Sequence, residues 1–466
     1  MCGIICIYNK NRTPINLELL QEIKYRGQES YGIAYFNNNN IILNNFVGKL
    51  PSKIDESSLI QYNNSNNSIK YIIGHTRYST SGVKNIQSQT QPLEGYTTIN
   101  NIRVPYILVH NGNISNRKSL KKIVDCDISN KYTDSQILVS IINNLNKNSW
   151  EDLLKFIMDK IPCVYNLIIG TNDKIYIIRD RYGVRPMIFA KNDNSYCILS
   201  ESNEIEKKNY KIIRDIAPGE IAILDDSGLN TISLKSVSKY NNNYSPCLFE
   251  YIYFCNKNSI CDDVNITQFR YSCGRLLAKF DINKFLGINK KNTIVVGAPE
   301  TGITAGIGYA DLLNLNYHQV LEKTNKGRTF ILDSSQRQKE CKIKYKVNEK
   351  IVKFKNIIII DDSLVRGNTL KVLVKQLKEA KASSIHIRIA SPPVISPCYY
   401  GIDIPTYDEL IANKFNTNIE KLNDYMGSNS LKYLEVKHLI GLLPKKSKNS
   451  CVSCFTNDYD KKMLEW

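Results

Sequence analysis

The sequence has 466 residues, of which 42% are hydrophobic and 23% charged, enough for two or three soluble domains with full-sized cores. No stretch approaches the roughly 20 apolar residues of a membrane span, and the N-terminus has no signal or transit pattern, so a cytoplasmic protein without a membrane partner is expected. The net charge is +18, but the basic residues form no long tract. We therefore interpret the charge as a compositional bias on solvated faces, not as a nucleic-acid surface.

The first half of the chain is predicted to form short strands. Apolar runs bounded by turn residues predict strands at residues 4–8, 33–36, 71–73, 106–109 and 166–169. Helical patterns lie between them, near residues 16–25 and 133–146. This order favours stacked sheets covered by helices. The polar, Asn-rich stretch around residues 225–245 is a candidate domain boundary.

The second half has the pattern of a parallel sheet. Residues 293–296 and 357–360 are continuous aliphatic runs, which are typical of strands buried on both faces. A glycine-containing loop follows each run, and a helical pattern at 370–380 and another strand at 386–389 follow the second. This alternation of strand and helix predicts an α/β fold.

Cys2 is the first candidate catalytic residue. Once Met1 is removed, its thiol and a free α-amine belong to one residue, and an amine that titrates near 8 can take the thiol proton. Three further motifs accompany it: Arg-Gly-Gln-Glu-Ser at 26–30, Gly-His-Thr-Arg-Tyr-Ser-Thr at 74–80 and His-Asn-Gly-Asn at 110–113. With Met-Cys-Gly-Ile at the start, they resemble the glutamine-hydrolysing domain of the N-terminal-nucleophile (class II) amidotransferases.

That resemblance implies a role for each motif residue. The side-chain N–H of Asn111 and the backbone N–H of Gly112 would form the oxyanion hole. Arg77 would bind the α-carboxylate of glutamine, and Asp134 its α-ammonium. Arg26 would orient the Cys2 region.

Two histidines, His75 and His110, are interpreted as structural, because the α-amine already serves as the base. The sequence departs from the family pattern at Gln136, where an acidic residue is usual. It also has only Met1 before Cys2, so autocatalytic removal of a propeptide is not expected.

Residues 357–369 are the strongest local signal in the chain. Asp361 and Asp362 end a buried strand, and a loop of small residues then opens a helix. Such strand ends bind ligands in α/β sheets, backbone N–H groups there attract phosphate, and the carboxylates can accept hydrogen bonds from ribose hydroxyls. The motif resembles the phosphoribosyl diphosphate (PRPP) loop of type I phosphoribosyltransferases. The predicted PRPP ligands are Asp361, Asp362, Ser363, Val365, Arg366, Gly367, Thr369 and Arg328.

Two further segments resemble loops of the same family. Residues 297–302 resemble the loop that faces the pyrophosphate, so Thr301 with Asp361 and Asp362 would hold one Mg²⁺ per subunit together with the substrate phosphates. Residues 327–330, with Arg328, resemble part of the mobile loop that closes over PRPP. The stretch before them, 322–327, lacks the Arg-Tyr pair common in the family.

The two halves in this order resemble the amidophosphoribosyltransferases (glutamine PRPP amidotransferases), nearly end to end and including residues 179–186, 249–254 and 391–393. The resemblance implies a four-layer αββα sandwich at residues 2–240, followed by a type I phosphoribosyltransferase parallel α/β sheet at 241–466. Glutamine hydrolysis at Cys2 would send ammonia through a sheltered passage to PRPP. The products would be glutamate, pyrophosphate and 5-phosphoribosylamine, in the first committed step of de novo purine (IMP) biosynthesis.

The family further implies a homotetramer or homodimer and feedback inhibition by purine nucleotides. Two alternatives remain open from the residues alone. The first is another class II amidotransferase, which would lack residues 357–369. The second is a PRPP-binding regulator without catalysis, against which the intact Cys2, Asn111, Asp361 and Asp362 argue.

Thirteen cysteines in such a chain indicate free thiols, a nucleophile or metal ligands more readily than disulfides. Cys451 and Cys454 form a C-x-x-C pair, which could bind zinc, act in redox chemistry or do neither. Resemblance to one branch of the family adds Cys247 and Cys398 and implies a structural [4Fe–4S] cluster; four thiolates also suit zinc, and plain thiols are the third possibility. The remaining cysteines are interpreted as packing residues: Cys6, Cys126, Cys163, Cys197, Cys255, Cys261, Cys273 and Cys341.

Overall fold

A computed structural model describes most of the protein. The described residues are 2–10, 15–54, 59–60, 69–78, 87–115, 119–120, 123, 132–232, 244–283, 290–323, 345–404 and 406–461. In these ranges no helix combines the length and the apolar character that crossing a membrane requires. Three predictions lie outside them: the PRPP ligand Arg328, the packing roles of Cys126 and Cys341, and the boundary between residues 240 and 241.

The first sheet is antiparallel and has strand order β12-β10-β11-β1-β4-β2-β3. Its strands are β1 (Gly3–Asn9), β2 (Ser30–Asn37), β3 (Asn40–Val47), β4 (Tyr71–Arg77), β10 (Ile188–Lys191), β11 (Ser195–Leu199) and β12 (Lys211–Asp215). Strand β1 lies in the middle, because Ile5 pairs with Gly74 on one side and with Leu199 on the other. Cys2 therefore stands at the end of a central strand.

The second sheet has strand order β14-β13-β9-β8-β6-β5-β7 and is antiparallel except between β5 and β7. Its strands are β5 (Leu93–Ile99), β6 (Ile102–Asn113), β7 (Asn146–Lys147), β8 (Val164–Gly170), β9 (Ile175–Arg179), β13 (Ile221–Asp225) and β14 (Gly228–Thr231). Strand β14 lies within the stretch predicted as a domain boundary. That interpretation is therefore wrong for residues 228–231, where the chain still pairs with β13.

Alternation of side chains along the strands produces the layers. Ile4 on β1 packs against Ile107 between the sheets, while Ile5 faces the opposite side and packs with Leu20, because successive residues of a strand point to opposite faces. Helices cover both outer faces: the 3-10 helix Leu17–Ile23, α1 (Asp134–Asn143) and α2 (Trp150–Lys160). The predicted αββα sandwich is confirmed, although its first helix is of the 3-10 type.

The second half contains a parallel sheet of order β18-β17-β21-β22-β23. Its strands are β17 (Thr293–Gly297), β18 (Asn316–Tyr317), β21 (Asn356–Asp361), β22 (Ser384–Ile389) and β23 (Ser430–Tyr433), and hairpins β15–β16 (Ile260–Cys261, Val264–Asn265) and β19–β20 (Leu321–Lys323, Tyr345–Val347) lie outside it. The aliphatic residues 357–360 are fully buried, since helices cover both faces. The predicted parallel α/β sheet is confirmed.

Several helices accompany this sheet, and the first two of them precede and follow β17. The helices are α3 (Ile266–Asp281), α4 (Gly302–Leu313), α5 (Glu349–Val352), α6 (Asn368–Glu379), α7 (Ile411–Lys414), α8 (Ile419–Met426), α9 (Val436–Gly441) and α10 (Ser453–Thr456), with a π-helical turn at Glu250–Phe254. Short 3-10 helices are Gln87–Gln89, Ile205–Lys208, Lys290–Asn292, Tyr407–Glu409 and Lys445–Ser447. One hydrophobic cluster joins the two halves, since Val164 and Tyr182 pack with Leu248 and Tyr400.

Candidate active sites

The ends of three strands and the start of one helix meet at Cys2. The cavity there encloses about 300 Å³ and is lined by Cys2, Arg77, Tyr78, Gln89, Gln91, His110, Gly112, Thr133, Asp134 and Ser135. Cys2 precedes β1, Arg77 ends β4, Gly112 lies at the end of β6, and Asp134 begins α1. Three of the four motifs predicted from the sequence, those of Cys2, Arg77 and Gly112, are therefore brought together at one pocket, and Asp134 joins them there.

The surroundings of the Cys2 thiol favour its protonated form. Its Sγ lies 3.7 Å from the carbonyl oxygen of Tyr78, to which it donates. Burial raises the pKa of the Cys2 thiol above its ordinary value, although the positive charge of Arg77 opposes the rise. A nucleophilic role therefore requires a base close to the thiol.

Asn111 and Gly112 have the properties of oxyanion donors. Asn111 is 1% exposed, and its Nδ2 has no hydrogen-bond acceptor among the described residues. A buried donor without an acceptor is costly, unless a ligand supplies one. A Cβ at Gly112 would stand 2.1 Å from the carbonyl oxygen of Val164, so strand β8 leaves room only for glycine.

Arg77 and Asp134 place opposite charges in the pocket, and both are at most 5% exposed. Arg77 Nη2 donates to Gln89 Oε1 at 3.3 Å. Asp134 accepts from the backbone N–H groups of Ser135 and Ile114, at 3.0 and 3.3 Å. Such a pair suits the zwitterionic end of an amino acid.

The departure at Gln136 has a structural explanation. Thr133 caps α1, its Oγ1 accepts from the Gln136 N–H at 3.2 Å, and its own N–H donates to Gln136 Oε1 at 2.9 Å. This is a capping box, in which Gln serves as well as Glu. The helix that presents Asp134 is therefore fixed without an acid at position 136.

His75 and His110 are both neutral. Burial lowers the pKa of His75 to about 3, and it also lowers the pKa of His110. His110 lies on the pocket wall, where its Nδ1 is 3.0 Å from Ser135 Oγ. The structural role assigned to these two residues stays a prediction.

The sequence did not point to Gln89 and Gln91. Gln91 Oε1 accepts from the N–H of His110 at 2.7 Å, and its Nε2 donates to Ser135 Oγ at 3.0 Å. These contacts fix the approach of β6 to α1. Isolated glutamines in a short segment between two strands carry no periodic or spacing signal that could have identified them.

A buried charge network supports Cys2 from behind. Arg26 Nε donates to the carbonyl oxygen of Cys2 at 3.1 Å, its Nη1 donates to Glu201, and its Nη2 lies 3.0 Å from Glu250 Oε1. Arg185 Nη1 lies 3.3 Å from the same Glu250 oxygen. Burial would raise the pKa of Glu250, but Arg26 and Arg185 outweigh it and lower that pKa.

One trio of possible metal ligands adjoins this network. Among the described residues, only Glu201, Cys255 and Cys261 bring three such atoms within 4.8 Å. Glu201 already accepts from Asn256 N–H and Ser259 Oγ, at 2.8 and 2.7 Å, as well as from the guanidinium of Arg26. A cation bound by Glu201 would be repelled by the positive charge of that guanidinium. The trio therefore fits a hydrogen-bonded cluster better than a metal site.

The second candidate site lies at the carboxyl end of β21. Asp362 is buried and accepts from Thr301 Oγ1 and, at 2.5 Å, from Ser363 Oγ. Burial raises its pKa, and the two hydroxyls and the charge of Arg270 oppose the rise. Thr301 and Asp362, which were predicted to share a Mg²⁺ site with Asp361, are in direct contact.

Two loops form this site because β17 and β21 are parallel neighbours. A Cβ at Gly302 would stand 2.5 Å from the carbonyl oxygen of Ile360. The two loops can therefore approach this closely only because residue 302 is glycine. Gly367 caps α6 with a φ of +77°. Ser363, Val365 and Thr369 lie on the loop and the first turn of α6, at the end of the helix that attracts phosphate.

Arg366 has a protein partner that the sequence could not indicate. Its Nε donates to Glu409 Oε2 at 2.8 Å, and the two form an ion pair. A PRPP-binding role for Arg366 stays a prediction. In that role its guanidinium would either bind PRPP and Glu409 together or break the ion pair with Glu409.

An apolar cavity lies between the two sites. It has about 310 Å³ of empty space, part of it open to solvent, and is lined by Tyr78, Phe249, Tyr253, Phe254, Val365, Ile402, Asp403 and Ile404. Tyr78 borders the glutamine pocket, and Val365 belongs to the loop after β21. The cavity is therefore lined by a residue of each site.

The four cysteines predicted as cluster ligands occupy one region. The N–H of Leu248 donates to the carbonyl oxygen of Cys451 at 3.1 Å, and Cys398 Sγ accepts from the N–H of Tyr400 at 3.4 Å. Burial, and then the proximity of Cys247, Cys398 and Cys451, raise the pKa of the Cys454 thiol.

The spacing of these thiols is wider than zinc requires. No three of their sulfur atoms lie within 4.8 Å of one another. A tetrahedral zinc site with Zn–S bonds of about 2.3 Å brings its sulfurs to about 3.8 Å. The four thiols as they stand therefore do not form a tetrahedral zinc site.

Comparison with known proteins gives matches in both halves. Residues 75–207 match the family described as glutamine amidotransferase domain, and residues 265–390 match the phosphoribosyl transferase domain. The amidophosphoribosyltransferase of Methanocaldococcus jannaschii is 30% identical, over 98% of this chain and 97% of its own length. A chloroplastic amidophosphoribosyltransferase of Arabidopsis thaliana is also 30% identical, over 100% of this chain and 79% of its own.

A solved structure agrees with these matches. Glutamine PRPP amidotransferase from Bacillus subtilis, complexed with ADP and GMP, superposes with a TM-score of 0.81 at 28% identity. The similarity covers 98% of this chain and 97% of that one.

Proposed function

The chain belongs to the amidophosphoribosyltransferase family, and from that premise we propose how its residues divide the reaction between Cys2 and the loop after β21. The overall activity is the transfer of the amide nitrogen of glutamine to PRPP, the first step of purine biosynthesis. This assignment removes the first alternative, a class II amidotransferase of another kind. Which residues act, and how, is the proposal.

In the glutamine pocket, Arg77 and Asp134 hold the α-carboxylate and α-ammonium of the substrate. The α-amine of Cys2, exposed when Met1 is removed, takes the thiol proton, and the thiolate attacks the amide carbon. Asn111 Nδ2 and the Gly112 N–H stabilise the resulting oxyanion. The protonated amine returns its proton to the departing nitrogen, which leaves as ammonia, and water then hydrolyses the thioester to glutamate.

In the second site, Asp361 and Asp362 accept hydrogen bonds from the ribose hydroxyls of PRPP, and the first turn of α6 binds its 5′-phosphate. Thr301, Asp361 and Asp362 fit Mg²⁺, because they offer hard oxygen atoms at one strand end. Mg²⁺ bound there would neutralise the diphosphate oxygens. Ammonia attacks C1 of the ribose while the bond from C1 to the pyrophosphate oxygen breaks.

The observation that carries this proposal is the apolar cavity shared by Tyr78 and Val365. Ammonia is mostly protonated in neutral water and the ammonium ion is not a nucleophile. An apolar passage admits the neutral molecule and opposes re-entry of the charged one. The lining therefore supports direct transfer between the sites.

Kinetics of two variants test this division of labour. Cys2→Ala should abolish glutamine-dependent synthesis and keep synthesis from added ammonia. Asp361→Asn should lower both activities, because PRPP is the acceptor substrate in glutamine-dependent and in ammonia-dependent synthesis. Cys163→Ala, which removes a buried thiol of the helical layer, is the matched control and should keep both.

Two outcomes would count against the proposal. Equal loss of both activities in Cys2→Ala would place Cys2 outside a separate glutamine site. Absence of both activities in the wild-type protein, with PRPP binding intact, would favour the non-catalytic regulator.

We propose a [4Fe–4S] cluster held by Cys247, Cys398, Cys451 and Cys454. Their proximity to one another supports it, as does the N–H of Tyr400 directed at Cys398 Sγ. Its role would be to fix the C-terminal tail. Anaerobically purified protein should contain about four iron and four sulfide per chain, and Cys451→Ser should lose them; zinc or no metal would overturn the assignment.

Four further properties are proposed on the same family basis. The glutamine domain spans residues 2–240 and the phosphoribosyltransferase domain residues 241–466. The protein is a cytoplasmic homotetramer or homodimer, and purine nucleotides inhibit it; the B. subtilis structure holds ADP and GMP. Sedimentation analysis, with and without a purine nucleoside monophosphate, tests the assembly, and steady-state kinetics test the inhibition.

A further inference from the structure

Residues Tyr399, Tyr400 and Gly401 connect the phosphoribosyltransferase half to the glutamine pocket. We name these three residues the bridging segment. Its backbone contacts the pocket from two directions. One contact reaches the oxyanion donors, and the other reaches the backbone of the nucleophile.

The first contact fixes the end of β6. Asn113 Nδ2 donates to the carbonyl oxygen of Tyr399 at 2.8 Å. Gly401, at a φ of +100°, lies so near that an added Cβ would stand 2.9 Å from the carbonyl carbon and oxygen of Gly112. The strand end that carries the oxyanion N–H thus rests directly on the backbone of the other half.

The second contact runs through two arginines. The Tyr400 carbonyl oxygen accepts from Arg185, at 3.1 Å from Nε and also from Nη2. Arg185 shares Glu250 Oε1 with Arg26, at 3.3 and 3.0 Å. Arg26 Nε then donates to the carbonyl oxygen of Cys2 at 3.1 Å. Arg185, Glu250 and Arg26 are each at most 1% exposed.

Both contacts end on the groups whose placement matters most in glutamine hydrolysis. An oxyanion donor and a nucleophile must stand within a few tenths of an ångström of their productive positions. Arg77 ends β4 and Asp134 begins α1, so the residues that would hold the substrate take part in neither of the two contacts described above. A disturbance of the segment should therefore affect the reaction step more than substrate binding.

We propose that the bridging segment is a positioning element of the glutamine reaction and that Asn113 and Arg185 are the residues through which it acts. The inference rests on the proposed glutamine site at Cys2. Asn113 sets the Gly112 N–H, and Arg185 sets the Cys2 backbone through Glu250 and Arg26. Neither side chain touches the substrate.

The test measures glutamine hydrolysis and ammonia-dependent synthesis side by side, at saturating PRPP. Asn113→Ala should lower kcat for glutamine hydrolysis about 10-fold to 100-fold, as expected for a displaced oxyanion donor. The KM for glutamine should stay within about twofold, because Arg77 and Asp134 are unchanged. Synthesis from ammonia should be unaffected.

Two further variants sharpen the result. Asn113→Asp has the same shape but turns a carboxylate oxygen toward the Tyr399 carbonyl, so its kcat should fall below that of Asn113→Ala. Arg185→Lys replaces the branched guanidinium with a single ammonium, which cannot donate to the Tyr400 carbonyl and to Glu250 at the same time. It should likewise lower kcat for glutamine and leave the KM nearly unchanged. Asn146→Ala, which removes an exposed amide contact with Asn101, is the matched control.

A merely structural role would give a different pattern. Loss of folding would lower the fraction of Cys2 that a glutamine-like alkylating agent can label, and it would reduce both activities together. An unchanged kcat for glutamine in Asn113→Ala, or parallel loss of both activities, overturns the inference. Failure of the proposed function would instead appear in the wild-type protein, as the absence of PRPP-dependent glutamate release.

Discussion

Glu250→Gln tests whether the buried charge network stabilises the protein. The substitution keeps the shape of the side chain and removes its charge. Arg26 would then keep Glu201 as its carboxylate partner, whereas Arg185 would lose the carboxylate it pairs with in the network described above. Since all four side chains are at most 1% exposed, neither guanidinium can recover its hydration.

The expected loss follows from that burial. Removing one partner of a buried ion pair costs about 3–5 kcal/mol, chiefly because a charge is left uncompensated. With an m-value of about 3 kcal/mol per M, this corresponds to a fall of roughly 1–1.7 M in the midpoint of urea unfolding. Glu379→Gln is the matched control: it breaks an exposed pair with Lys375 and should cost under about 0.5 kcal/mol.

The same variant has a predicted pH dependence. The pKa of Glu250 is lowered in the folded protein, so its carboxylate stabilises the fold fully above the unfolded pKa of about 4.3 and loses that effect as pH falls. The difference between wild type and Glu250→Gln should be largest near pH 7 and shrink below about pH 4. A difference under about 1 kcal/mol at pH 7, or one that grows on acidification, would refute the reasoning.

Three other substitutions have defined outcomes. Asn111→Ala should lower kcat for glutamine hydrolysis by about 10² to 10³ and spare ammonia-dependent synthesis; retention of kcat would remove Asn111 from the oxyanion hole. Arg77→Lys should raise the KM for glutamine about tenfold, since one ammonium replaces a bidentate fork, and steady-state titration with glutamine checks this. Gly367→Ala should lower the free energy of unfolding by about 1–3 kcal/mol and raise the KM for PRPP, because its φ is positive and its Cβ would stand 2.4 Å from Ile411 Cδ1; an unchanged melting temperature would contradict it.

The sequence predicted those parts of the sites that lie at the ends of strands. Arg77 and Gly112 follow apolar runs, which predict the strands, while their roles came from the resemblance of the surrounding motifs to the class II amidotransferases. Asp361 and Asp362 were found in the same way. The helix predicted at 133–146 ends earlier, at Asn143, because residues 146–147 pair with β5, a contact that local propensity does not include.

What escaped prediction depends on packing between distant segments. Arg26, Arg185 and Glu250 come from three separate parts of the chain, and nothing in their local sequences indicates that they share one buried network. Arg366 belongs to a recognisable loop, but its ion pair with Glu409 arises from a segment about 40 residues away. Side-chain networks of this kind require the tertiary structure.

The position of β1 at the centre of its sheet also bears on protein synthesis. Cys2 and its strand emerge early, but Ile5 pairs with Leu199, which a ribosome adds roughly 10–40 s later at 5–20 residues per second. The bridging segment at Tyr399–Gly401 follows after about as long again. A growing or truncated chain thus carries the nucleophile without the surroundings that position it, and from the proposal above we expect no ammonia release until the acceptor half has been made.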